Sequence, residues 1–219
     1  MGKSNVRFTG DWKKAKKAVS KLPLLLSQNL DKAFEVSAKE LERTIHKAIS
    51  RGDAMWPSLA PVTIQRKGHG RPLEEYGDLR GIIAWKKDGP YSYFIGVDKG
   101  KQNRFGNNLV KIMAVQEYGA LIQPKQATKL AIPLTQEARA LEFQFQGISN
   151  IPNIFRIKGK DVLYIRSGKT LTPMFILVDV VRVQPRPVLE PSMRKSRKGI
   201  QRRIKKAAQL AVIGRRYNG

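Results

Sequence analysis

Residues 24–51, LLLSQNLDKAFEVSAKELERTIHKAISR, decide the fold class. Leu26, Leu30, Phe34, Ala38, Leu41, Ile45 and Ile49 recur at steps of three and four and leave one apolar stripe. Lys32, Lys39, Glu40, Arg43 and Lys47 take the remaining faces, and Gly52 is a natural stop. This spacing predicts a long amphipathic helix with one side buried.

Working outward, residues 1–21 have a weaker helical pattern and read as a basic arm that orders on a partner. Downstream, Met55 to Gly77 is punctuated by Pro57, Pro61, Gly68, Gly70 and Pro72 and reads as loop, anchored by Trp56 and Leu59. Leu79 to Trp85 and Tyr91 to Val97 read as strands joined by a turn at Asp88-Gly89-Pro90. Val110 to Tyr118 reads as a short helix capped by Gly119, and Lys129 to Leu134 as a strand leading into a helical turn over 135–141. Residues 143–185 are rich in β-branched and aromatic residues and read as a β-hairpin elaboration, Val162–Arg166 pairing with Phe175–Val181. A basic amphipathic helix over 192–212, striped by Ile200, Ile204, Ala207 or Ala208, and Ala211, closes the chain.

The expectation is an α+β fold: an antiparallel sheet core packed by a long N-terminal helix and a C-terminal basic helix, with an inserted β-hairpin. Its expected divisions are a basic arm at 1–21, a single domain at 22–192 and a basic helix and tail at 193–219.

Charge is unevenly spread. Residues 1–21 hold seven Lys/Arg against Asp11, and 186–219 hold eleven against Glu190, so these two ends carry +16 of a formal +25. Charge so concentrated repels itself unless an anionic partner is near. With no cysteine, disulfides, thiolate metal sites and cysteine nucleophiles are excluded, which fits synthesis in a reducing compartment. The apolar run Leu22–Leu26 is short and broken by Pro23, so neither a signal peptide nor a membrane span is expected, and the reading is a soluble protein with no membrane partner.

Catalytic equipment is sparse. His46 reads as a partly exposed helix residue, and His69, in Gly68-His69-Gly70, has no His or Cys partner at ligand spacing. Gly168-Lys169-Thr170 imitates the end of a phosphate-binding loop, but Leu163 stands where the motif needs glycine and Pro173 where it needs a helix. The adjacent Glu74-Glu75 pair reads as solvated loop, since neighbouring side chains diverge. The expectation is a protein without catalytic, cofactor or metal residues.

Four short blocks, in order, carry a resemblance. They are Trp56-Pro57-Ser58-Leu59-Ala60-Pro61-Val62-Thr63; Pro72-Leu73-Glu74-Glu75-Tyr76-Gly77-Asp78-Leu79-Arg80; Phe94-Ile95-Gly96-Val97 with Ala114-Val115-Gln116-Glu117-Tyr118-Gly119-Ala120; and Arg186-Pro187-Val188-Leu189-Glu190-Pro191-Ser192. Together they resemble the phage virion-morphogenesis proteins that complete the tail and sit at the head–tail joint, with Val188 in place of the usual aromatic and a longer stretch before Arg186. The resemblance implies a homo-oligomeric ring, sixfold like the tail tube, in the virion neck, assembled in the host cytoplasm. Its implied neighbours are a tail-tube or tail-terminator protein, a head-side connector protein and phage DNA held without sequence preference. Trp56, Leu59, Leu79, Glu117, Tyr118, Arg186 and Leu189 are then the candidate subunit-interface residues.

The candidate contacts to DNA or acidic neighbours are Lys13, Lys14, Lys16, Lys17, Arg194, Lys198, Arg202, Arg203, Lys205 and Lys206. Arg194, Lys198, Arg202 and Lys205 share one helix face, which suits phosphate neutralisation, and few aromatics interleave to stack on bases. The competing readings are a sequence-nonspecific nucleic-acid-binding protein, an RNA-associated protein and an ordinary solvated face.

Overall fold

The structure is a computed structural model that describes residues 10–52, 56–74, 77–103, 106–125 and 127–219. Lys3, Arg7, Met55, Glu75 and Tyr76, which enter the readings above, lie outside the described residues.

Helix α1 spans Trp12–Arg51, beginning well before the expected residue 24. Asp11 explains the early start, because its carboxylate accepts the Lys14 N–H at 3.0 Å and satisfies one of the first turn's orphan donors. Pro23 sits inside α1. It removes the bond that the Val19 carbonyl would otherwise accept, at an exposed position where water can replace it. The expected arm at 1–21 is therefore, over its described part, helix continuous with the long one.

The expected loop over 55–77 contains α2, Pro61–Lys67, with proline in the first turn and Gly68 in the left-handed region as its C-cap. The strand expected at Leu79 begins later. Residues Asp78–Gly81 form the single-turn α3, entered through Gly77 at φ 78°, and β1 follows at Ile83–Gly89. The turn to β2, Ser92–Val97, shifts to Pro90-Tyr91, with Tyr91 at φ 57°.

Then come α4, Leu109–Tyr118, capped by Asn108 and Gly119; β3, Ala120–Ile122; β4, Leu130–Pro133; and α5, Gln136–Gln144, capped by Thr135. A short 3-10 turn leads to β5, Ile154–Arg156, then β6, Val162–Ser167, β7, Thr170–Val178, β8, Val181–Val183, and α6, Leu189–Val212. The fold is α+β, with its strands in antiparallel groups: β1 with β2, β3 with β8, and a four-stranded sheet in the order β4-β7-β6-β5.

The chain divides into two compact units, one of residues 1–43, 85–95 and 193–219 and the other of 44–84 and 96–192. This division differs from the expected 22–192 domain because α6 is no free tail: it packs with α1 inside the first unit.

In the second unit the expected hairpin at 143–185 forms as β6 and β7, turned by Gly168-Lys169 with Gly168 at φ 60°, but this tight turn pairs Val162–Arg166 with Leu171–Ile176 and not with the expected Phe175–Val181. It is central to its sheet, since β7 pairs with β4 on its other side. The register skips Met174, because Leu163 faces Phe175 while Tyr164 faces Pro173. This bulge accommodates a proline that cannot donate to the ladder. Met174 and Phe175 are buried with Ala138 of α5 and Ile151, and Leu163 and Ile165 pack around them.

In the first unit, Ala33 of α1, Ala207 of α6 and Tyr217 form the buried cluster, flanked by Leu30 and Leu210. Asn29, 1% exposed, uses all of its capacity there but one amide lone pair and locks the segment after α6. Its Nδ2 donates to the carbonyls of Ala207 at 3.2 Å and Arg215 at 2.9 Å, and its Oδ1 accepts from Tyr217 N–H at 2.9 Å. The β-hairpin residues of this unit attach to α1 through Lys87 Nζ to Asp31 at 2.6 Å and through Lys39, whose Nζ lies 5.2 Å from the Trp85 ring centroid.

Truncating Asn29 leaves a buried N–H and a buried carbonyl without partners. We expect Asn29→Ala to lower stability by about 2–3 kcal/mol in denaturant unfolding and to expose residues 213–219 to carboxypeptidase. A loss below about 0.5 kcal/mol, the range of ordinary surface changes, would refute this role for Asn29.

Candidate assembly site

The first and fourth sequence blocks and the 114–120 part of the third meet in the second unit. The α4 run Gln116-Glu117-Tyr118-Gly119 lies beside the segment that leads into α6. The Gln116 carbonyl accepts the Arg186 N–H at 2.6 Å. The Glu117 carboxylate accepts three amides in succession, from Val188 at 2.7 Å, Leu189 at 3.0 Å and Glu190 at 3.0 Å. Those are the orphan donors at the start of α6, and the helix dipole adds positive potential there. Glu117 is 6% exposed, a burial that a carboxylate tolerates only with such donors.

Gly119 closes α4 in the left-handed region at φ 75°. A Cβ there would lie 2.9 Å from the Val183 carbonyl oxygen and 3.1 Å from Pro185 Cδ, so the position requires glycine for space as well as for φ. Arg186, 8% exposed, sends its guanidinium to the first block. Nε and Nη2 donate to the Pro57 carbonyl at 3.2 and 3.1 Å, and Nη2 reaches Ser58 O at 3.4 Å. Burial pushes the Arg186 pKa down from the ordinary arginine value. It starts so high that the group stays charged.

These contacts revise the expected interface. Glu117 and Arg186 are committed inside the subunit and cannot present their charges to another copy. Trp56, Leu59, Leu79 and Leu189 are half-buried: Trp56 lies against Gly52, and Leu79 lines a shallow pocket with Leu73, Leu109 and Ile112. Tyr118 alone among the candidates faces out, at 81% exposure. It opens onto β3, whose Leu121 and Ile122 are also exposed and which pairs with β8 in a two-stranded ribbon. Sequence reasoning missed Leu121 and Ile122, because an apolar pair directly after a helix-capping glycine carries the same signal as a core strand.

The basic candidates lie in the first unit. Lys13, Lys14, Lys16 and Lys17 on α1 are exposed, as are Arg194, Lys198, Arg202, Lys205 and Lys206 on α6. Arg203 differs from them in being half-buried and ion-paired with Glu40 of α1. The first unit has 22 Lys/Arg against six Asp/Glu, a net +16 of the chain's +25.

His46 Nε2 lies 3.0 Å from the Ile83 carbonyl, and His69 Nδ1 accepts the Arg71 N–H at 3.3 Å. Glu74 pairs with Arg71 at 2.7 Å. Among the described residues, no group of three His, Cys, Asp or Glu is placed to hold a metal ion, and no helix is long and apolar enough to cross a membrane.

No family model, curated protein or solved structure matches the chain.

The Glu117 geometry gives a graded expectation. Glu117→Ala strands three donors and should cost about 2–3 kcal/mol, with Glu117→Gln in between because one acceptor remains. Tyr118→Ala should leave stability within about 0.5 kcal/mol of the parent. Equal denaturant midpoints for Glu117→Ala and Tyr118→Ala would contradict this assignment.

Proposed function

We propose that this chain is a structural virion protein of the neck or tail-completion class, acting by assembly into a homo-oligomeric ring between tail and head. The single observation that carries the reading is the joining of the first, third and fourth blocks through Arg186, Gln116, Glu117 and Gly119. Residues on which the resemblance rests thus serve one architectural unit, as expected of a shared scaffold rather than of scattered coincidences. In this reading Tyr118 and the β3–β8 ribbon supply an intersubunit surface, and the basic helices of the first unit meet DNA or acidic neighbours. Electron microscopy of particles made without the protein should reveal unjoined heads and tails. Intact, infectious virions would overturn the proposal.

A second reading, a sequence-nonspecific nucleic-acid-binding protein, is favoured by the exposed cations of α6. Charge reversal of Arg202, Lys205 and Lys206 together tests it without disturbing the Arg203–Glu40 pair. The isolated chain should then lose duplex affinity, and its log–log salt slope should shrink by about 0.9 for each phosphate contact removed. An unchanged slope would remove α6 from any DNA contact.

A further inference from the structure

The first half of α1 carries an apolar seam that, among the described residues, its own unit covers only at one end. Trp12, Ala15, Val19, Leu22, Leu26, Asn29 and Ala33 follow one another at alternating steps of three and four, the heptad spacing of helix-on-helix packing. The last two positions are occupied: Asn29 bonds the Ala207 carbonyl of α6, and Ala33 is buried in the cluster with Ala207. α6 ends at Val212, and the segment after it turns onto Asn29 through Arg215 and Tyr217. Beyond that point the cover falls away, with Leu26 and Leu22 half-buried, Val19 68% exposed and Trp12 60% exposed.

Charge identifies the kind of occupant. At about 100° per residue, the positions from Trp12 to Leu26 on this seam fall within roughly 80° of arc, while Lys13, Lys14, Lys16, Lys17 and Lys21 spread over roughly 160° of the other side. Asp11 is the lone acid in residues 1–30. A second copy of this strongly basic chain would bring like charge to the lysines, which disfavours self-pairing. DNA would neutralise the lysines but leave the seam in water. A lipid surface would demand a broad free face, whereas α6 already stands on the same line at Asn29 and Ala33.

The geometry points to an acidic amphipathic helix of a different protein, docked end to end with α6 along Trp12–Leu26, its apolar side on the seam and its carboxylates among the lysines. This names the chemistry of one neighbour and rests on the assembly reading. It is tested on the isolated chain, so its failure is distinguishable from a failure of that reading in particles.

The probe is a labelled synthetic helix with leucine at the heptad core positions and glutamate flanking them, compared by anisotropy with a scrambled peptide of the same composition. The full chain should bind the patterned peptide about tenfold more tightly or better, the equivalent of burying one or two apolar side chains. Trp12→Ser with Val19→Ser should erase that preference and leave the scrambled peptide's weak binding unchanged. Lys13→Gln with Lys17→Gln should weaken both peptides. Both pairs replace exposed residues, and an unchanged circular dichroism spectrum confirms the fold. Equal binding of the two peptides would overturn the proposal. So would a loss of phosphatidylglycerol-vesicle or duplex-DNA binding in the Trp12→Ser, Val19→Ser variant, which would assign the seam to lipid or nucleic acid.

Discussion

A carboxylate buried at the start of a helix has to find donors, and a helix start has donors to place. Glu117 and the first amides of α6 solve each other's problem, and much of the second unit's connectivity is arranged around that exchange. For the carboxylate to reach, the chain leaving α4 must pass close to Val183 and Pro185, which Gly119 alone permits. For α6 to start there, the segment before it must be held in register, which the Arg186 N–H does on the Gln116 carbonyl. The Arg186 side chain extends the constraint to the Pro57-Ser58 segment, where carbonyl dipoles face its charge. Each residue is ordinary by itself, and the spacing between them is what the geometry demands.

Three acids of the first unit are equally committed. Asp31 holds Lys87, Glu35 pairs with Lys32 and Lys39, and Glu40 pairs with Arg203. The Lys39 and Lys32 ammonium groups lower the Glu35 pKa, and the Asp31 bond raises that of Lys87. All three acids lie on α1 between residues 31 and 40, where the helix receives the hairpin residues and α6. Residues 12–30 hold no acid, and cover thins from the buried Asn29 through the half-buried Leu26 and Leu22 to the exposed Val19. Charge neutralisation and apolar burial therefore both fade toward the start of α1, where a partner would gain the most.

The elements were largely legible because their signals are local. The stripe from Leu26 to Ile49, the Gly119 end of α4 and the existence of the β6–β7 hairpin each depend on a few neighbouring residues, whereas the hairpin's register does not. Misreadings came where a local signal competed with a cap. The helical pattern of residues 1–21 is weak, yet Asp11 caps a helix that runs through it; Pro57, Pro61, Gly68, Gly70 and Pro72 together read as loop, yet Pro61 and Gly68 bracket a helix. Burial of polar groups was not legible at all. Asn29, Glu117 and Arg186 look like surface residues in sequence, and only partners 71 or more positions away reveal otherwise: 178 for Asn29 with Ala207, 71 for Glu117 with Val188, and 129 for Arg186 with Pro57.

That separation bears on how a short motif should be weighed. A block such as Gln-Glu-Tyr-Gly attracts attention because its residues are chemically distinctive, and distinctiveness suggests contacts with other molecules. Here the carbonyl, the carboxylate and the missing Cβ are each consumed by the same chain, and the tyrosine is the one member that no internal contact explains. A large aromatic left 81% exposed beside exposed Leu121 and Ile122 keeps its apolar area in water unless something covers it. The same test separates Val19 from Ala33 on a single helical seam. In both places the residues that internal packing accounts for define the scaffold, and the residues it leaves over mark where association would gain the most.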